Sequence, residues 1–81
     1  MDAVLKEVTP LPGYRLELTF RNGSSAVVNM ARRVRTLRFS RLSPPETFAT
    51  ARAQGDRVVW TDGGTLFGVY CTELLDAMMM D

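Results

Sequence analysis

Five arginines fall within ten residues, Arg32-Arg33-x-Arg35-x-x-Arg38-x-x-Arg41. This is the sharpest chemical feature of the 81-residue chain. Guanidinium forks match carboxylate and phosphate geometry, so Arg32, Arg33, Arg35, Arg38 and Arg41 are the candidate partner-binding residues. An acidic protein surface is one class of target. A nucleic-acid backbone is the other, with Phe39 placed to stack on a base. The plainer reading is a solvated face, some arginines being paired with acidic residues of the second half. No helix-turn-helix or zinc-finger spacing accompanies the run.

The rest of the chain is poor in catalytic equipment. It has no histidine, so the commonest general base and the commonest zinc ligand are both missing. Cys71 is the single thiol; without a histidine activator it reads as a core or near-core residue. The carboxylates are scattered over positions suited to caps, turns and wet strand faces. Asp56 and Asp62 flank one strand, and Asp62-Gly63-Gly64 carries one carboxylate where a calcium loop needs several. Gly63-Gly64 sits in no Gly-x-x-x-x-Gly-Lys phosphate loop. The expectation is a non-enzyme with no cofactor and no metal site.

Charge is unevenly distributed although the net value is +1. Residues 1–43 hold eight basic and three acidic side chains; residues 44–81 hold two basic and six acidic. Such a split serves either a partner or a surface that neutralises itself once the halves fold together. Hydrophobic residues make up 46% and charged residues 23%, which excludes a disordered tail. No apolar run approaches the ~20 residues of a membrane span. The start MDAVLKEV is interrupted by Asp2, Lys6 and Glu7 and does not read as a signal peptide. One cysteine forms no internal disulfide, which points to a reducing compartment, the cytoplasm.

The elements that position these residues follow from periodicity. Residues 3–9 predict a strand stopped by Pro10 and Pro12-Gly13. Tyr14, Leu16, Leu18 and Phe20 alternate with Arg15, Glu17 and Thr19, a strand with one buried face. Asn22-Gly23 marks a hairpin into a third strand, Ser24 to Met30. A three-residue loop, Arg21-Asn22-Gly23, pairs Leu18 with Ala26, Leu16 with Val28 and Tyr14 with Met30. All partners are then apolar, and Gly23 takes the left-handed position. A two-residue loop would bury Asn29 instead.

Ala31, Val34 and Leu37 predict a short helix over 31–38. A second helix is expected from Ser43 as cap, Pro44 at its first position and Glu46 in a capping box, with Phe48, Ala49 and Ala51 buried and Gly55 ending it. Residues 57–61 form a strand anchored in the core by Trp60. Asp62-Gly63-Gly64 turns the chain, and Thr65-Leu66-Phe67 returns it. Thr72 caps a last helix with Leu74, Leu75, Met78 and Met79 on one face, Met78-Met79-Met80 being half core and half frayed end. The fold class is a small α+β domain spanning 1–81: a three-stranded N-terminal meander, a second antiparallel hairpin, and two to three short helices.

The spaced pattern Tyr14-x-Leu16-x-Leu18-x-Phe20-x-Asn22-Gly23, then Leu42, Phe48, Val59-Trp60-x-x-Gly63-Gly64 and a leucine-rich last helix, resembles the small bacterial domain-of-unknown-function family DUF2442 over about residues 4–75. The resemblance implies an α+β fold, and gene neighbourhoods like those of toxin–antitoxin pairs. Acidic positions of the family correspond to Asn29 and Thr65 here, so no acidic site carries over, and no catalytic residue is implied. Together these readings predict a protein-binding module, antitoxin-like or a mobile-element inhibitor; the alternative is nucleic-acid binding or regulation through Arg32–Arg41. The oligomeric state is open at this level.

Overall fold

The computed structural model describes residues 4–80, and for 77–80 the backbone only. The chain is α+β: two separate three-stranded antiparallel sheets with short helices, the core lying between them. The first sheet is a meander of β1 (Leu5–Leu11), β2 (Arg15–Phe20) and β3 (Ser25–Asn29). The second is another meander, β4 (Arg52–Gln54), β5 (Arg57–Asp62) and β6 (Thr65–Tyr70). Helix α1 (Pro45–Phe48) lies between the sheets in sequence, and α2 (Cys71–Met80) follows β6. Strand β1 lies against β4, and α2 packs on β3 and β6. No helix among the described residues is long and apolar enough to cross a membrane.

The β2–β3 hairpin has the expected three-residue loop. Leu18 faces Ala26 and Leu16 faces Val28; the Met30 N–H donates to the Tyr14 carbonyl at 2.8 Å. Gly23 takes φ +91°, and Asn22 Oδ1 accepts from the Ser24 N–H and hydroxyl. Leu16, Leu18, Phe20, Val28 and Met30 are consequently buried. They meet Val58, Trp60 and Val69 of the second sheet, with Leu42, Phe48, Cys71 and Leu74 closing the core. Trp60 is fully buried, within ring-contact distance of Phe48 and Phe67. Its Nε1–H has no acceptor among the described residues.

Several elements differ from the sequence expectation. Pro10 does not stop β1, which runs on to Leu11. Even-numbered residues of β2 bond towards β3, so Pro10 opposite Leu16 falls in a non-hydrogen-bonded pair and its missing N–H costs no ladder bond. A register shift between Leu5 and Glu7 puts Leu5 and Val8, three apart, on the same buried face. The predicted start at Ala3 lies outside the described residues.

The predicted 31–38 helix is a single 3-10 turn, Arg33–Arg35. Thr36 is extended, and its hydroxyl donates to the Arg33 carbonyl, an alternative to continuing the helix. Of the predicted apolar stripe only Val34 is buried; Leu37 is 96% exposed. The predicted capped helix ending at Gly55 shrinks to four residues. Pro44 occupies the cap position and Pro45 the first turn, while Ser43 makes no cap because it closes a separate 3-10 turn, Ser40–Leu42. Residues 52–54 form β4 instead, because β5 offers a free hydrogen-bonding edge. Thr50 Oγ1 secures the crossing by accepting from the Thr61 N–H at 2.8 Å. Gly55, at φ +62°, then serves the β4–β5 turn. The second hairpin is therefore a three-stranded meander. Helix α2 begins at Cys71, one residue before the expected cap Thr72. The expected faces of Met78, Met79 and Met80 lie outside the described side chains.

Candidate functional site

The arginine segment is held from below by its apolar residues. The Ala31 N–H donates to Asn29 Oδ1 at 2.9 Å, and the Val34 N–H to the Met30 carbonyl at 3.0 Å. Val34, Phe39 and Leu42 are buried, so the segment follows the core surface from β3 to α1.

The five arginines divide by role. Arg38 pairs with Glu73 of α2 through Nη1 and Oε2, and its guanidinium lies 5.0 Å from the Phe39 ring centre. Arg41 Nε lies 3.6 Å from Asp62 Oδ2, and its guanidinium stacks 5.1 Å from the Phe67 ring centre. Both acids belong to the acidic second half, so part of the charge split is neutralised within the fold. Phe39 meets Phe67 edge-on at 5.8 Å and is buried, so it is not displayed for base stacking. Arg32 and Arg35 are exposed and have no ion pair or side-chain hydrogen bond among the described residues. Arg33 is half-buried between them. Leu37 stands beside this group as the most exposed large apolar residue of the described chain. The surface on offer among the described residues is thus the guanidiniums of Arg32 and Arg35 and the bare Leu37, on a segment with buried anchors.

A second feature was not legible in the sequence. A groove of about 390 Å³ opens between the β1–β2 turn and α1, lined by Pro10, Leu11, Pro12, Tyr14, Pro45 and Phe48 among others. Tyr14 takes φ +59°, a left-handed conformation rare for a bulky residue, directly after Gly13 at +79°. Two contacts hold it there: its hydroxyl donates to the Ser43 carbonyl, and its ring meets Phe48 edge-on at 5.2 Å. That hydroxyl is the only polar side-chain group in the lining. The groove therefore offers apolar contact, with no second group to exchange a proton.

Cys71 is buried at the start of α2. Burial pushes its thiol above the ordinary range, and the nearby Asp56 carboxylate adds to this, while backbone N–H groups of Cys71 and Thr72 oppose it. A raised thiol is a poor nucleophile at neutral pH. Asp56 lies in the turn before β5 and Asp62 is its last residue, so the two stand at opposite ends of the strand. Among the described residues no three His, Cys, Asp or Glu side chains converge on one point. No family model, curated protein or solved structure matches the chain.

Proposed function

We propose that the protein is a non-enzymatic module that acts by surface contact with another protein, as an antitoxin or a mobile-element inhibitor does, in the reducing cytoplasm. The observation that carries this reading is the group Arg32, Arg35 and Leu37. Two guanidiniums with no ion pair among the described residues and a leucine 96% exposed are held on a segment anchored by the buried Val34, Phe39 and Leu42. Arginine beside apolar area is the composition of protein-binding hot spots. A phosphate backbone would use the guanidiniums and leave the leucine bare in water, which favours a protein over a nucleic acid. The resemblance of the core and turn pattern to DUF2442 favours the antitoxin variant.

The test is affinity purification from the native host, with the parent chain and an Arg32→Gln/Arg35→Gln/Leu37→Ser variant as parallel baits. The expected result is one protein recovered in stoichiometric amount with the parent and lost with the variant. Recovery of the parent alone overturns the reading. Tight binding of a random DNA duplex, with a log affinity–log salt slope that falls by about 0.9 for each phosphate contact the variant loses, would reassign the segment to nucleic acid.

A further inference from the structure

The two sheets end in four edge strands, β1, β3, β4 and β6, which are protected unequally. β1 carries Lys6, Glu7 and Pro10 and lies against β4; β3 is packed by α2; β4 has three residues, including Arg52 and Gln54. β6 shares with β3 its contact with α2, but it is six residues long and carries neither a charged side chain nor a proline. From Gly63 to Thr72 there is neither a charge nor a proline, two of the devices by which natural edge strands are protected.

The backbone of β6 is aimed outward in a defined register. Gly63 and Gly64, both at positive φ, form a two-residue turn that pairs Asp62 with Thr65. Hydrogen-bonded pairs then alternate, so Thr65, Phe67 and Val69 bond to β5. The Cys71 N–H, which donates to the Asp56 carbonyl at 2.9 Å, continues that alternation. Leu66 and Gly68 therefore turn both N–H and C=O away from the sheet, and Tyr70 turns its N–H the same way. The side chains of Leu66 and Tyr70 are 57% and 59% exposed on one face, with Gly68 between them.

The monomer does not require a glycine at 68. Its φ lies outside the left-handed region. A Cβ there would lie 3.5 Å from Val59 Cγ2 and 3.7 Å from the Val58 carbonyl oxygen, ordinary contact distances. Glycine inside a strand weakens it, and often marks the close approach of another backbone.

We infer that β6 is a homodimer interface, a second copy pairing antiparallel with its own β6 about a two-fold axis at Gly68. This register brings the outward-turned groups of the two copies together. Gly68 faces Gly68 of the second copy, and Leu66 faces the second copy's Tyr70 on both sides of the axis. Each large apolar side chain thereby gains an apolar neighbour, and the rings flank a glycine gap. The two sheets join into one of six strands. An edge of this length covers less than the ~800 Å² per partner of a standard interface, so the dimer is reversible. The outward edge of β6 uses none of Arg32, Arg33 and Arg35, so this interface and the partner surface succeed or fail separately.

Sedimentation velocity over about 10–500 μM tests the pairing. The parent chain is expected to pass from monomer to dimer within that range. Leu66→Lys and Tyr70→Glu should each weaken dimerisation at least ~10-fold, whereas Val27→Lys, an exposed position on β3, should not. Far-UV circular dichroism and melting temperature should match the parent for all three. The double variant Leu66→Lys/Tyr70→Glu should recover association, since lysine then faces glutamate across the axis, and should lose that gain in ~1 M NaCl. A parent chain monomeric throughout, or a dimer indifferent to Leu66→Lys, overturns the proposal. Failure of the double variant to recover overturns the Gly68-centred register.

Discussion

Replacing Arg38 and Arg41 together by glutamine should destabilise the fold, whereas replacing Arg32 and Arg35 together should not. Each of the first pair makes one half-exposed ion pair and one stacking contact on an aromatic ring. A half-exposed ion pair contributes about 0.5 kcal/mol, and an exposed cation–π contact about 0.5 kcal/mol or slightly more. Arg38 and Arg41 then contribute about 2 kcal/mol between them, because their partners, Glu73 and Asp62, are separate and the two losses add. In a domain of this size ~1 kcal/mol shifts the melting temperature by 4–8 °C, so the double change should lower it by about 10 °C. Arg32→Gln/Arg35→Gln removes two exposed charges with no partner among the described residues, and should leave the melting temperature within ~2 °C. Thermal unfolding followed by circular dichroism, in low salt and again in ~1 M NaCl, measures both. Salt should shrink the Arg38/Arg41 effect without abolishing it, since screening weakens the ion pairs more than the ring contacts. Equal losses for the two double variants, or a larger loss for Arg32/Arg35, would refute the division of the segment into fold-spent and free arginines.

Two other predictions address register and the thiol. Val28 is 1% and Val27 49% exposed, so Val28→Ala should cost about 2 kcal/mol in lost transfer energy and cavity, and Val27→Ala a few tenths; urea unfolding with comparable costs would contradict the hairpin register. Cys71, pushed up by burial and by Asp56, ionises less readily in the folded than in the unfolded chain. Its stabilising effect is therefore complete below the ordinary thiol value of about 8.5 and declines as pH rises above it. Urea midpoints between pH 8 and 10 should fall more steeply for the parent than for Cys71→Ala, and identical slopes would refute the shift.

The alternation of Tyr14 to Phe20, together with Asn22-Gly23, was sufficient to place β2, β3 and their register. Only one loop length gave every inward residue an apolar partner, and a strand's two-residue period makes any slip expose its core face. Trp60, the Gly63-Gly64 turn and the α+β class were legible for the same local reason. The 31–38 helix and the long helix before Gly55 were misread. Helical spacing of a few apolar residues in a short segment is a weak constraint, which tertiary hydrogen bonding overrides. Of the candidate site, the arginine run itself was plain in the sequence, and so was the prospect that some of it is paired with acidic residues.

What the sequence determined by itself was local: the strand faces, the glycine turns, the absence of histidine and the density of arginine. Which arginines are spent was settled only in three dimensions. Glu73 and Asp62 lie 35 and 21 residues from Arg38 and Arg41, and no periodicity connects them. The same holds for β4, which exists because β5 presents an unpaired edge to residues 52–54, and for the groove at Tyr14, where a left-handed backbone is kept by contacts with Ser43 and Phe48. Local patterns fix which side of a chain is buried, because burial is decided residue by residue. Pairing between distant segments depends on where the whole core places them.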